Sequence, residues 1–81
     1  MKNSALVTGG TGFVGSNLAK KLVALGWHVD LIVRKTSNHN LISDFSHSVN
    51  LHQADGSFNN MRHILEHSKP DVVFHVASFF I

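Results

Sequence analysis

The run Thr8-Gly9-Gly10-Thr11-Gly12-Phe13-Val14-Gly15 constrains this chain most, because it stands where an apolar stretch, Ala5-Leu6-Val7, gives way to a helix-period pattern. A backbone that passes from strand to helix through glycines can bring its N–H groups close to an anion. The helix dipole adds partial positive charge at the same place. Each glycine has its own use: a tight turn, a close approach to the ligand, and close packing of helix on strand. Gly10, Gly12 and Gly15 satisfy the Gly-x-Gly-x-x-Gly spacing, and Gly9, Gly12 and Gly15 give an alternative at intervals of three. A strand before the run and a helix after it make the motif specific for a diphosphate.

The rest of the chain continues the alternation. A first strand is expected at 4–7 and a helix from Gly12 or Phe13 to Leu25. Val14, Leu18, Leu22 and Leu25 fall on one side of that helix, and Ser16, Asn17, Lys20 and Lys21 on the other. Gly15 belongs to the buried stripe, and Gly26 is placed to end the helix in a left-handed conformation. Residues 28–34, rich in Val, Leu and Ile, read as a second strand. The polar segment 35–46 reads as a loop with a turn of helix around 41–45. A third strand follows at 49–54. Ser57 is the expected cap of a helix over 58–68, with Phe58, Met61, Ile64 and Leu65 on one face. Lys69-Pro70 stops it. Residues 71–76, nearly all apolar, have the composition of a buried parallel strand.

This order predicts an α/β fold: a parallel sheet of about four strands with helices on its faces. Right-handed crossovers favour strand order 3-2-1-4, the N-terminal half of a Rossmann doubly wound fold. Its ligand crevice lies at the carboxyl ends of the strands, between the first and the fourth.

Length and composition narrow the partners. Eighty-one residues make one small domain with a thin core. The net charge is +2 with scattered basic residues, which argues against nucleic acid or an anionic membrane as partner. Without cysteine there is neither a disulfide framework nor a thiolate metal site. No apolar run approaches the length of a membrane span. Met1-Lys2-Asn3-Ser4 leads straight into the first strand without the pattern of a leader, so a cytoplasmic location is expected.

The strand ends facing the crevice hold the candidate site. A carboxylate at the end of the second strand would suit an unmodified adenosine ribose, whereas a cation suits a 2′-phosphate. Here Val33-Arg34-Lys35 stand there, Arg34 with a planar fork and Lys35 with a second charge. Asp30 lies toward the wrong end of that strand. NADP is therefore favoured over NAD, unless Arg34 and Lys35 are merely solvated loop residues. The third strand ends in Ala54-Asp55-Gly56; Asp55 either accepts from an adenine amino group or serves the turn before Ser57. The fourth ends in His75-Val76-Ala77-Ser78, small residues over which a cofactor could pass. His75 reads as a packed or hydrogen-bonded core histidine rather than a catalyst.

Taken together, Thr8–Gly15, Val33-Arg34-Lys35, Ala54-Asp55-Gly56 and Lys69–Ser78 resemble the extended short-chain dehydrogenase/reductase superfamily, including nucleotide-sugar epimerases, dehydratases and dihydroflavonol-reductase-like enzymes. The resemblance implies that Gly9, Thr11, Gly12, Phe13 and Val14 line the pyrophosphate. It likewise implies that Arg34 holds the 2′-phosphate and Asp55 the adenine, and that Val76, Ala77 and Ser78 lie along the cofactor. Ser78 stands where alanine is more frequent.

The chemistry implied is hydride transfer at an alcohol or carbonyl carbon through a Tyr-x-x-x-Lys pair with a Ser or Thr, the lysine lowering the tyrosine pKa. This sequence contains no tyrosine. No catalytic residue is therefore assigned, and residues 1–81 are expected to form a truncated NAD(P)-binding half-domain without a substrate part. Lys69-Pro70-Asp71 leans toward an epimerase and Arg34-Lys35 toward a reductase.

Two rivals differ in class. His63-Ile64-Leu65-Glu66-His67 has the H-x-x-E-H order of an inverted zinc-peptidase motif, but lacks a third ligand, and both histidines should face solvent. The other is a non-catalytic fragment that binds nucleotide weakly or self-associates. An uncovered apolar edge on the fourth strand, with Phe79, Phe80 and Ile81, would favour dimerisation or swapping.

Overall fold

A computed structural model describes residues 3–9, 12–34, 39–54 and 57–76. Four strands, β1 (Ser4–Thr8), β2 (His28–Arg34), β3 (Asn50–Ala54) and β4 (Val72–His75), form one parallel sheet of order β3-β2-β1-β4. Helix α1 (Phe13–Ala24) connects β1 to β2, and α2 (Phe58–Ser68) connects β3 to β4. The expected topology is the observed one.

Central strand β1 explains the two-sided core. Its Ala5, Leu6 and Val7 are fully buried, and strand alternation sends them to opposite faces. Ala5 and Val7 join Val29, Leu31, Val33, Ala19 and Leu22 beneath α1. Leu6 joins Ile32 and Ile64 beneath α2. The α1 side is the thicker of the two, because Ile42 and Phe45 from the segment before β3 complete it. That segment contains two 3-10 turns, Asn40–Ile42 and Ser46–Ser48, in place of the helical turn expected at 41–45. Its two buried apolar side chains are what a reading by polarity alone passes over.

The buried stripe of α1 is also rotated from expectation. Gly15, Ser16, Ala19 and Leu22 are buried, while Val14 and Leu25 are exposed. Small residues at 15, 16 and 19 let the helix lie close to the sheet, which decides the face over side-chain size. Ser16 is tolerated there because its hydroxyl donates to the Phe13 carbonyl at 3.0 Å. The helix ends in a Schellman arrangement: Trp27 N–H bonds Leu22 O and Gly26 N–H bonds Val23 O, both at 3.0 Å, with Gly26 at φ +86°.

Ser57 caps α2, its hydroxyl accepting from Asn60 N–H at 3.1 Å. At the other end Lys69, not a glycine, takes the left-handed conformation at φ +45° before Pro70. Of the four residues expected on the α2 core face, Ile64 alone is buried; Met61 is half-buried, Leu65 is just exposed and Phe58 stands in solvent. β4 differs from the buried strand its composition suggested. As an edge of this sheet it leaves Val72 and Val73 exposed. Asp71 fastens its start to β1: the carboxylate accepts from Ser4 N–H at 2.9 Å and Ser4 Oγ–H at 3.1 Å.

Candidate dinucleotide site

The carboxyl ends of β1, β2, β3 and β4 lie along one edge of the sheet, and the glycine turn leaves from the central one. Gly9 takes φ +69°, a region costly for residues with a Cβ. A Cβ there would run into the Val76 carbonyl oxygen. Gly9 therefore keeps the turn against the end of β4. The Gly12 N–H then bonds the Gly9 carbonyl at 3.1 Å, and the Gly12 carbonyl accepts from Ser16 N–H at 2.8 Å to begin α1.

The two helix starts are built differently. Ser57 supplies a side-chain cap to α2, whereas Gly12, the N-cap of α1, has none, and the first turn of α1 contains no acidic residue. The first-turn amides of Phe13, Val14 and Gly15 have no carbonyl within their own helix. They carry the positive end of its dipole. Phe13 and Val14 themselves are exposed beside this start. Such a terminus accommodates the oxygens of a phosphate or diphosphate without a competing carboxylate.

Arg34 ends β2 and is exposed, one strand from the turn. Its register partner is Ala54, the last residue of β3. Beside Ala54 a shallow depression is lined by Ser57, Phe58, Asn60 and Met61. On the far side of β1, Val76 N–H donates to the Thr8 hydroxyl oxygen at 3.1 Å, and Thr8 Oγ1 lies 2.8 Å from His75 Nδ1. The structure thus brings Gly9, Gly12, Phe13, Val14, Arg34 and Val76 to the crevice. Thr11, Lys35, Asp55, Gly56, Ala77 and Ser78 lie outside the described residues. Thr8, not among the residues singled out from the sequence for the crevice, stands there as well. Its signal was position: it is the last residue of β1, and register sets it opposite His75.

Other polar groups of interest are accounted for elsewhere. His75 is hydrogen-bonded, as expected, but exposed rather than part of a core. Asp30 is buried far from the crevice and accepts from His52 Nε2–H at 2.7 Å. His63 and His67 are exposed on α2 with rings stacked 6.3 Å apart, and Glu66 pairs with Arg62 at 3.4 Å. Among the described residues no three His, Cys, Asp or Glu side chains are arranged to hold a metal ion. No helix of the described residues is long and apolar enough to cross a membrane.

Known proteins share this arrangement. GDP-mannose 4,6-dehydratase of Vibrio cholerae is 38% identical over 88 residues, covering 96% of this chain and 24% of that protein. Residues 5–80 match the model of the NAD dependent epimerase/dehydratase family. Among solved structures, an epimerase from Methanothermobacter thermautotrophicus superposes with TM-score 0.78 at 29% identity, over 98% of this chain and 24% of its own. UDP-glucose 4-epimerase from Thermotoga maritima, solved with UDP-glucose, superposes with TM-score 0.73 at 26% identity, over 93% and 24%. The chain spans about a quarter of the length of these relatives. With the parallel 3-2-1-4 sheet and the glycine turn in place, the match over residues 5–80 means that the chain belongs to the NAD dependent epimerase/dehydratase family.

Proposed function

We propose that this chain is the NADP(H)-binding portion of an oxidoreductase or epimerase/dehydratase acting on an alcohol or carbonyl carbon, with a nucleotide sugar as the substrate class. The observation that carries the reading is the uncapped start of α1, reached through Gly9 and Gly12, with Arg34 at the end of the neighbouring strand. The amides of Phe13, Val14 and Gly15 would bind the diphosphate. Arg34, aided by Lys35, would hold a 2′-phosphate through paired N–H donors, the reason for preferring NADP to NAD. The depression at Ala54, Phe58 and Met61 offers an apolar rest for the adenine, with Asp55 and Gly56 beside it in sequence. Thr11, Val76, Ala77 and Ser78 complete the contacts that the family resemblance implies. A bound nicotinamide supplies hydride transfer to or from carbon. The likeness to GDP-mannose 4,6-dehydratase favours a nucleotide sugar over a small carbonyl compound.

The 81 residues contain no tyrosine, so a Tyr-x-x-x-Lys acid/base pair is not among them. The proposed role of this polypeptide by itself is binding, in the cytoplasm, without turnover. Calorimetry with the 81-residue chain tests the reading: NADP+ should bind about tenfold or more tightly than NAD+. No heat with either nucleotide at millimolar concentration, from a chain that circular dichroism shows to be folded, would overturn it.

A second reading draws on the exposed Val72 and Val73 of β4. An apolar strand edge without a charged residue is open to pairing. Self-association through β4 is the expected consequence. A single monomeric boundary in sedimentation velocity across the concentration range would exclude it.

A further inference from the structure

Helix α2 carries two histidines that the dinucleotide site does not use. His63 and His67 are one helical turn apart, so both rings leave the same side of the helix. They are exposed and nearly parallel, with ring centroids 6.3 Å apart and planes inclined by 10°. Among the described residues neither ring has a hydrogen-bond or ion-pair partner. Glu66, between them in sequence, is engaged by Arg62 at 3.4 Å. The imidazole nitrogens are therefore the open electron-pair donors of this face.

The surroundings select the charge of a ligand. His67 stands in the last turn of α2, where the helix dipole has its negative end. It also lines a depression that holds Asp30, a buried carboxylate whose Oδ2 has no hydrogen bond among the described residues. Both features favour a cation. Imidazole suits a divalent transition-metal ion such as Zn2+, Ni2+ or Cu2+, whereas Mg2+ and Ca2+ take oxygen ligands. Two imidazoles on adjacent positions of one ion, each about 2.0–2.1 Å from it, have centroids roughly 5 Å apart. The pair closes from 6.3 Å by about 1.3 Å, a rotamer adjustment of side chains that no other bond restrains. We infer that His63 and His67 together clamp a divalent transition-metal ion on α2, water filling its remaining positions. The clamp lies away from the crevice, since His67 shares its depression with His28 and Asn50, the first residues of β2 and β3. It forms only while this turn is helical, so the bound ion stabilises the folded chain.

Calorimetry and thermal melts of the untagged 81-residue chain with Ni2+ test the inference. Saturating Ni2+ should raise the melting temperature, and Mg2+ at the same concentration should not. His63→Asn and His67→Asn each remove one arm of the clamp. Each should weaken Ni2+ binding about tenfold or more and abolish the thermal shift. The circular dichroism of both variants should match wild type, because both positions are exposed. His28→Asn, beside Asp30, should bind Ni2+ as wild type does. A folded wild-type chain that binds no Ni2+ at millimolar concentration would overturn the assignment. Unchanged affinity in either the His63 or the His67 variant would do the same. An equal loss in His28→Asn would also overturn it, by moving the ion into the Asp30 depression.

Discussion

The α-carbon of Gly9 abuts the carbonyl oxygen of Val76 so closely that no Cβ fits between them. The backbone conformation at Gly9, φ +69°, is independently costly for a side chain. One glycine therefore joins the turn after β1 to the end of β4. Gly9→Ala should lower stability by about 2 kcal/mol or more, from the left-handed backbone together with the collision. In a domain of this size that is roughly 10 °C in melting temperature. A thermal melt within about 2 °C of wild type would show that the strand end yields.

Gly12 allows stability and binding to be separated. Its φ of −77° and ψ of 172° suit any residue, and it occupies an N-cap without a side-chain bond. Gly12→Asp should cap α1 and raise stability by about 0.5–1 kcal/mol. The same carboxylate would stand where the diphosphate is proposed to bind. Dinucleotide affinity should fall at least about tenfold, with calorimetry and chemical denaturation moving in opposite directions.

Arg34→Ala tests the choice of cofactor. Hydrogen bonds to a charged partner are worth about 1.5–3 kcal/mol. The NADP+ affinity should therefore fall about ten- to hundredfold while that for NAD+ changes little. A parallel loss of both affinities would make Arg34 a general anchor rather than a reader of the 2′-phosphate.

Asp30 and His52 join β2 to β3 away from the crevice. The Asp30 side chain is 3% exposed, and His52 Nε2–H supplies its 2.7 Å partner. His28 Nε2 stands 3.4 Å from the other carboxylate oxygen, which has no hydrogen bond among the described residues. Removing one partner strands the other. Asp30→Leu and His52→Leu should each destabilise the chain, and the double variant should be less destabilised than their sum by about 1–2 kcal/mol. Additive losses in urea denaturation would mean that the pair is not coupled.

Val73 is half exposed on β4. If this edge drives self-association, Val73→Lys should shift the sedimentation profile toward monomer, since an edge lysine opposes strand pairing. An oligomer unaffected by the change would have to form elsewhere.

Much of the architecture was legible because it is written locally. The apolar run of β2 marks His28–Arg34, Ser57 marks the start of α2, and Gly26 marks the end of α1 through its need for positive φ. Alternation of these elements, with right-handed crossovers, was enough for strand order 3-2-1-4. The glycine spacing likewise identified the turn that leads to the start of α1.

Tertiary structure decided what depends on residues distant in sequence. It turned α1 so that Gly15, Ser16 and Ala19 meet the sheet and Val14 does not, because close approach favours small residues over large apolar ones. It buried Ile42 and Phe45 from a polar segment. It also set Gly9 against Val76, and Thr8 beside His75 across 67 positions of chain. Those pairs exist only through the register of β1 against β4. Register is a relation between strands, which no pattern within either strand contains.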